Sequence, residues 1–279
     1  MLDRRTKGER MPAVHVADCT LHYELLDATL PWIGQPETIV FHHGLGASAG
    51  IWRAWAPMLA DRYRMLSFDM RGHGQSAHPA SDATLSLDLL VDDLFAVTDA
   101  AGVGRFHLVG ESIGGTLALL AALRAPDRVL TLTVSNGAHV GGSIANLDDW
   151  KQIIDARGMR GWSTHMMQAR FFPGTISPGM HDWYERVQSE VSTDFLLRAV
   201  RLLAGADLSP RLAALEMPVL LLHPDSSPFI PVALMADLKS RLPHSRLQVF
   251  PHSKHGLPYS HADLCAEALR EFLDEMDAR

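Results

Sequence analysis

The chain has 279 residues, of which 47% are hydrophobic and 20% charged, a length that suits one domain with an insertion around a single large core. The net charge of -7 argues against nucleic acid as a main partner, because phosphate binding wants a basic face. Two cysteines, Cys19 and Cys265, give no disulfide framework; the charged stretch Met1 to Arg10 lacks an apolar core, and no apolar run reaches membrane-spanning length. These features predict a cytoplasmic protein with no membrane partner.

Taken in chain order, residues 14–16 and 21–25 read as an opening hairpin and 39–41 as the first parallel strand. A helix is expected over 51–59 and a strand over 65–68. Residues 86–101 repeat apolar side chains at helical spacing (Leu87, Leu90, Val91, Leu94, Val97), with Asp92 and Asp93 expected to face out. Strands follow at 105–109 and 129–134, separated by the helical run Thr116 to Leu123. Near the end, 219–222 and 247–250 read as strands and 264–272 as a closing helix. Strand and helix in alternation predict a mostly parallel sheet covered on both faces.

Residues 139 to about 208 break this rhythm. They hold Trp150, Trp162, Trp183, Phe171, Phe172 and a methionine cluster, with no β-rich run. Several helices are expected, with loops at Gly158, Pro173-Gly174 and Pro178-Gly179. The expected division is a core of 1–138 and 209–279 and a helical segment of 139–208.

Chemistry enters at Gly110-Glu111-Ser112-Ile113-Gly114, between an apolar strand and a helix. A G-x-S-x-G in that setting is a sharp turn that exposes a serine hydroxyl above the sheet. A phosphate loop would need Gly-Lys-Ser/Thr, and a dinucleotide turn G-x-G-x-x-G; neither is present. Upstream lie two more glycine turns, His42-His43-Gly44-Leu45-Gly46 and Asp69-Met70-Arg71-Gly72-His73-Gly74-Gln75-Ser76. In this order and at these separations the three motifs resemble the α/β-hydrolase superfamily, closest in pattern to the 3-oxoadipate enol-lactonase-like and carboxylesterase group. The resemblance implies an α/β-hydrolase fold, a mostly parallel twisted sheet with helices on both faces, and a helical lid at 139–208.

It also implies roles. Ser112 would be the nucleophile. Its base would be a histidine in the loop after the last strand, where His255 stands and His252 is the rival. A metal reading of that His-x-x-His spacing is weak in a loop without further ligands. The family's usual position for the orienting acid, counted back from Pro231, holds Ser227, and the nearest carboxylate is Asp225, two residues earlier. Asp225 is expected to reach His255 through a shifted loop. The alternatives are that Asn136 or Ser227 orients the ring, or that the triad is impaired. The backbone amides of Leu45 and Ile113 would form the oxyanion hole. Asp69, Arg71, Gly72 and His73 read as structural loop residues. Glu111 either tunes pocket charge or faces outward.

Trp150, Trp162, Met166 and Phe171 are expected to line an apolar substrate cavity under the lid. Arg157, Arg160 and Arg170 read as solvated, with recognition of an anionic substrate as the alternative. The expected function is a serine hydrolase cleaving a small ester, lactone or related acyl compound through an acyl-enzyme, with no metal or organic cofactor. Ser112 excludes an aspartate nucleophile. A carbon–carbon bond hydrolase is weakened by Gly256-Leu257-Pro258 after His255, where a tryptophan is common. A cofactor-free oxygenase or lyase using His255 as base, and a non-catalytic ligand-binding relative, remain as alternatives.

Overall fold

The computed structural model describes residues 12–144 and 148–277. The opening hairpin is β1 (Ala13–Val16) and β2 (Cys19–Leu26), followed by β3 (Thr38–His42). The helix expected over 51–59 is a 3-10 turn, Ala49–Trp55, running into the short α1 (Ala56–Leu59). Then come β4 (Arg64–Phe68), α2 (Leu87–Ala100), β5 (Phe106–Glu111), α3 (Ile113–Arg124) and β6 (Val129–Ser135). The segment expected to form the lid holds α4 (Asp148–Arg170), α5 (Pro178–Ser189) and α6 (Thr193–Ala204). The core resumes with β7 (Val219–Pro224), α7 (Val232–Arg241), β8 (Ser245–Phe250), α8 (Leu257–Ser260) and α9 (Ala262–Asp277).

The eight strands form one sheet in the order β1-β2-β4-β3-β5-β6-β7-β8. β1 and β2 pair antiparallel, as do β2 and β4; every later neighbour is parallel. Strands β3 and β5 are buried along their whole length, as expected where helices cover both faces. Alternate residues serve opposite faces: Ile39 and Phe41 join the core packed by Trp52, Trp55 and α9, while Val40 joins the one packed by α2 and α3. Helix α3 is apolar all round, with Leu117, Ala118, Leu119 and Ala121 fully buried, because it is sandwiched between the sheet, α2 and the 3-10 turn Ser209–Ala214. Each such leucine contributes about 1.5–3 kcal/mol of burial.

Three local expectations are corrected. Asp93 does not face out; it is buried, and both its oxygens accept from Arg71, from Nε at 2.6 Å and from Nη2 at 2.7 Å. Position 93 lies three residues after Leu90 and four before Val97, on the inner face, where the buried Arg71 needs an anion. Pro178-Gly179 is no loop but the first turn of α5, with Ser177 as cap accepting from the Met180 amide at 3.3 Å and proline at the position where its missing N–H costs nothing. Helix α7, between β7 and β8, was not read from the sequence. The expected breaks at Gly158 (φ 67°) and Pro173-Gly174 are present. No helix among the described residues is long and apolar enough to cross a membrane.

Candidate active site

The chain passes from β3 to β4 on one side and then crosses to β5 on the other, so the sheet reverses its winding between β3 and β5. Open parallel sheets leave a crevice at the carboxyl ends of the strands at such a reversal. Ser112 stands there, at the end of β5. Its backbone is at φ 57°, ψ -122°, a conformation that costs a non-glycine residue about 1–3 kcal/mol and persists only when its surroundings enforce it. The enforcing contacts are visible. A Cβ at Gly110 would come within 2.2 Å of the Gly114 carbonyl oxygen, and one at Gly114 within 2.4 Å of the His42 carbonyl oxygen. Strand, helix and the neighbouring turn approach too closely there for any side chain.

His255 meets Ser112 across the crevice, Nε2 lying 3.1 Å from Oγ. Its ring packs edge-on to Phe229, with centroids 4.9 Å apart. Its other nitrogen, Nδ1, lies 3.1 Å from Ser227 Oγ. That oxygen also accepts from the Ile230 amide at 3.2 Å. Asp225 is not the partner of His255. Its carboxylate accepts from the backbone amides of His252 (2.9 Å) and Ser253 (3.2 Å) instead. The physical reason is register: the Asp225 amide donates to the Phe250 carbonyl at the end of β8. This fixes residue 225 beside the 251–253 turn and carries residue 227 on to the ring. Asp225 clamps the turn that presents His255. Asn136 also misses the ring: its Nδ2 donates to the His255 carbonyl at 2.7 Å. His252, the rival base, is exposed and in the left-handed region at φ 53°.

The imidazole therefore has no carboxylate at hydrogen-bond distance among the described residues. Burial, the Arg170 guanidinium and His223 together hold its pKa well below the ordinary histidine value, so the ring is neutral at neutral pH. A carboxylate would force the proton onto Nδ1 and leave Nε2 free to accept from Ser112. A serine hydroxyl can donate or accept, so it enforces that tautomer less strictly.

The turn His43-Gly44-Leu45 lies alongside. His43 Nε2 accepts from the Met70 amide at 2.9 Å, and His73 Nε2 accepts from the Gly46 amide at 3.1 Å. Both rings must be unprotonated at Nε2, and burial keeps them so, His43 at about 4. Asp69 accepts from Ala49 and Gln75. The second glycine motif is thus scaffolding for the first. Neither the Leu45 nor the Ile113 amide has an acceptor of its own among the described residues, and Ile113 opens α3, where the helix dipole favours negative charge.

A narrow pocket leads to Ser112 and His255. Trp150 and Met166 line it, as expected. Trp162 and Phe171 do not: Trp162 backs Trp150 edge-on at 5.3 Å, and Phe171 packs against Gly256 and Tyr184. Ala138, Ile144, Val200, Leu203, Phe229 and Ile230 complete the apolar wall. None of these six carries a local signal of function. Arg170 also lines the cavity and is 1% exposed, not solvated. Its Nε donates to Gln188 Oε1 (2.7 Å) and its Nη2 to the Leu45 carbonyl (2.5 Å). Its Nη1 lies 3.9 Å from Glu111 Oε1 and has no hydrogen-bond acceptor among the described residues, and the guanidinium stands 5.4 Å from the Tyr184 ring centroid. Glu111 is inward-facing and buried behind Gly44, where desolvation pushes its carboxyl up to about 7 despite Arg170 and the Gly44 amide.

The profile of the α/β-hydrolase fold family matches residues 37–194, more than half of the chain. The chain belongs to that family. It is an α/β-hydrolase enzyme. A relative from Azorhizobium caulinodans, provisionally named carbamate hydrolase RutD, is 28% identical over 96% of this chain and 100% of its own length. A Klebsiella pneumoniae protein of the same name is also 28% identical, over 89% of this chain and 95% of its own. Among solved structures, the enol-lactonase of Burkholderia xenovorans superposes with a TM-score of 0.82 at 21% identity, over 94% of this chain and all of that one; at that identity the likeness is one of fold.

Proposed function

We propose that this α/β-hydrolase cleaves a small ester, lactone or related acyl compound through an acyl-enzyme at Ser112. The observation that carries the reading is the 3.1 Å approach of His255 Nε2 to the hydroxyl of a serine held in strained geometry at the sheet's crevice. Neutral His255 takes the Ser112 proton as Oγ bonds to the carbonyl carbon. The Leu45 and Ile113 amides stabilise the negative oxygen. The tetrahedral intermediate collapses with loss of the alcohol, which leaves with the proton from His255. Water, deprotonated by the same ring, then adds to the acyl carbon and releases the acid and Ser112. Ser227 orients His255 through Nδ1, the role first expected of Asp225. This route uses no metal or organic cofactor. The relatives named for carbamate hydrolysis extend the acyl class to carbamates, which the same attack would open.

One observation favours a second reading. Without a carboxylate on His255, imidazolium is poorly stabilised, so the fold would also suit a ligand-binding relative with slow turnover. The test is the release of p-nitrophenol from p-nitrophenyl acetate by the wild type and Ser112→Ala. A rapid burst, lost in the variant, supports the acyl-enzyme; no burst and no difference between the two overturns it in favour of the binding reading.

A further inference from the structure

Arg170 is the element of the cavity that the chemistry of Ser112 and His255 leaves unused. A fully buried guanidinium is costly unless its charge and its donors are matched. Two of its three nitrogens are engaged, on Gln188 and on the Leu45 carbonyl. Nη1 is buried and without a hydrogen-bond acceptor among the described residues. The nearest carboxylate oxygen, on Glu111, stands off at 3.9 Å, and that carboxyl, pushed up to about 7, is only partly ionised at neutral pH. Among the described residues lining the cavity, Arg170 is the one with a formal charge, and Trp150, Met166, Leu203 and Phe229 give it an apolar wall. A guanidinium nitrogen left unpaired at an apolar cavity suits a carboxylate oxygen, to which it donates a charge-assisted hydrogen bond.

We propose that the cavity selects acyl substrates bearing a carboxylate, which docks on Arg170 Nη1 while the scissile carbonyl lies at Ser112. The inference rests on the serine hydrolase reading above. It has a consequence for rate as well as for binding. Arg170 faces His255 and opposes its protonation, and no carboxylate at hydrogen-bond distance offsets this. A substrate carboxylate on Arg170 cancels that repulsion when the ring must take the Ser112 proton. Anionic substrates should therefore gain in kcat and not only in KM.

The experiment compares p-nitrophenyl hydrogen glutarate with p-nitrophenyl pentanoate, esters of equal chain length, on the wild type and Arg170→Gln. The expected result is a kcat/KM ratio favouring the glutarate ester by about tenfold or more in the wild type, with part of the gain in kcat, and loss of that preference in the variant. No preference in the wild type, or an equal loss on both esters in the variant, overturns the proposal and leaves Arg170 as a prop for the Leu45 turn. Should Arg170→Gln not fold, competitive inhibition of the wild type decides: glutarate should bind at least about tenfold more tightly than pentanamide, and equal inhibition contradicts the site. If neither ester is turned over through Ser112, the hydrolase reading fails instead, and calorimetric titration of glutarate against pentanamide still decides whether the anion site exists.

Discussion

Ser112 is placed mainly by one continuous stretch of chain, whereas His255 is held by three separate ones besides its own. The elbow is built from β5 and α3, with Gly110 and Gly114 letting the backbones of α3 and of the turn after β3 close on it, and the Ser112 amide donates to the Ser135 carbonyl of β6 at 2.9 Å. His255 depends on Asp225 from the end of β7, which clamps the preceding turn, and on Asn136 from the end of β6, which holds its carbonyl. It also depends on Ser227 at its Nδ1 and on the lid, whose Arg170 carbonyl accepts from the Gly256 amide at 3.0 Å. A local device tolerates change elsewhere. A site assembled from distant segments can lose its acid and keep its geometry, because the backbone contacts that seat the ring are not the contact that charges it.

Perturbing each half sharpens the contrast. Ser112→Ala should lower the acylation rate toward activated esters by at least about 10³-fold, read by stopped-flow, with stability little changed. Arg71→Met should leave Asp93 buried and unpaired beneath the second glycine turn, lowering unfolding free energy in urea by about 3–5 kcal/mol. Glu111 gives a pH test. Its folded pKa, about 7, lies above the ordinary carboxylate value of 4.5, so the folded state holds the extra proton between the two. Stability from this group is therefore full below pH 4.5 and lost as pH rises to about 7. Glu111→Gln should flatten that slope and stabilise the protein above pH 7 by about 2 kcal/mol, measured by denaturant titrations across the range. Asp225→Asn should change kcat/KM by less than about threefold, since one oxygen remains to clamp the turn and none touched the ring. A loss of a hundredfold would return Asp225 to the triad.

The same contrast sets what the sequence made legible. The strands follow from period and the serine turn from its glycine spacing, both local signals, whereas His255 and the expected oxyanion turn were legible through the family resemblance. The partner of Nδ1 does not, because it is decided by how β7 and β8 align: Asp225 and Ser227 differ by two residues, and only the pairing of the Asp225 amide with Phe250 settles which faces the ring. Asp93 was misplaced for a similar reason, its partner Arg71 lying 22 residues away. The lid was recognised by its aromatic content, yet Phe171 and Trp162 proved to be packing residues. Arg170, which resembles its solvated neighbours Arg157 and Arg160 in sequence, is the one turned inward.

The central claim is a serine–histidine pair oriented by a hydroxyl in place of a carboxylate. The direct measurement is the pH dependence of the acylation rate in the wild type and in Ser227→Asp. In the proposed mechanism His255 is a neutral base, so the rate falls as pH drops through its pKa; with that pKa held down by burial and Arg170, the wild-type acid limb should lie well below pH 6.5. A carboxylate at position 227 would stabilise imidazolium and fix the proton on Nδ1, moving the limb upward and raising the plateau by about tenfold. A wild-type limb at or above the ordinary histidine range, or a Ser227→Asp profile identical to wild type, would contradict the account.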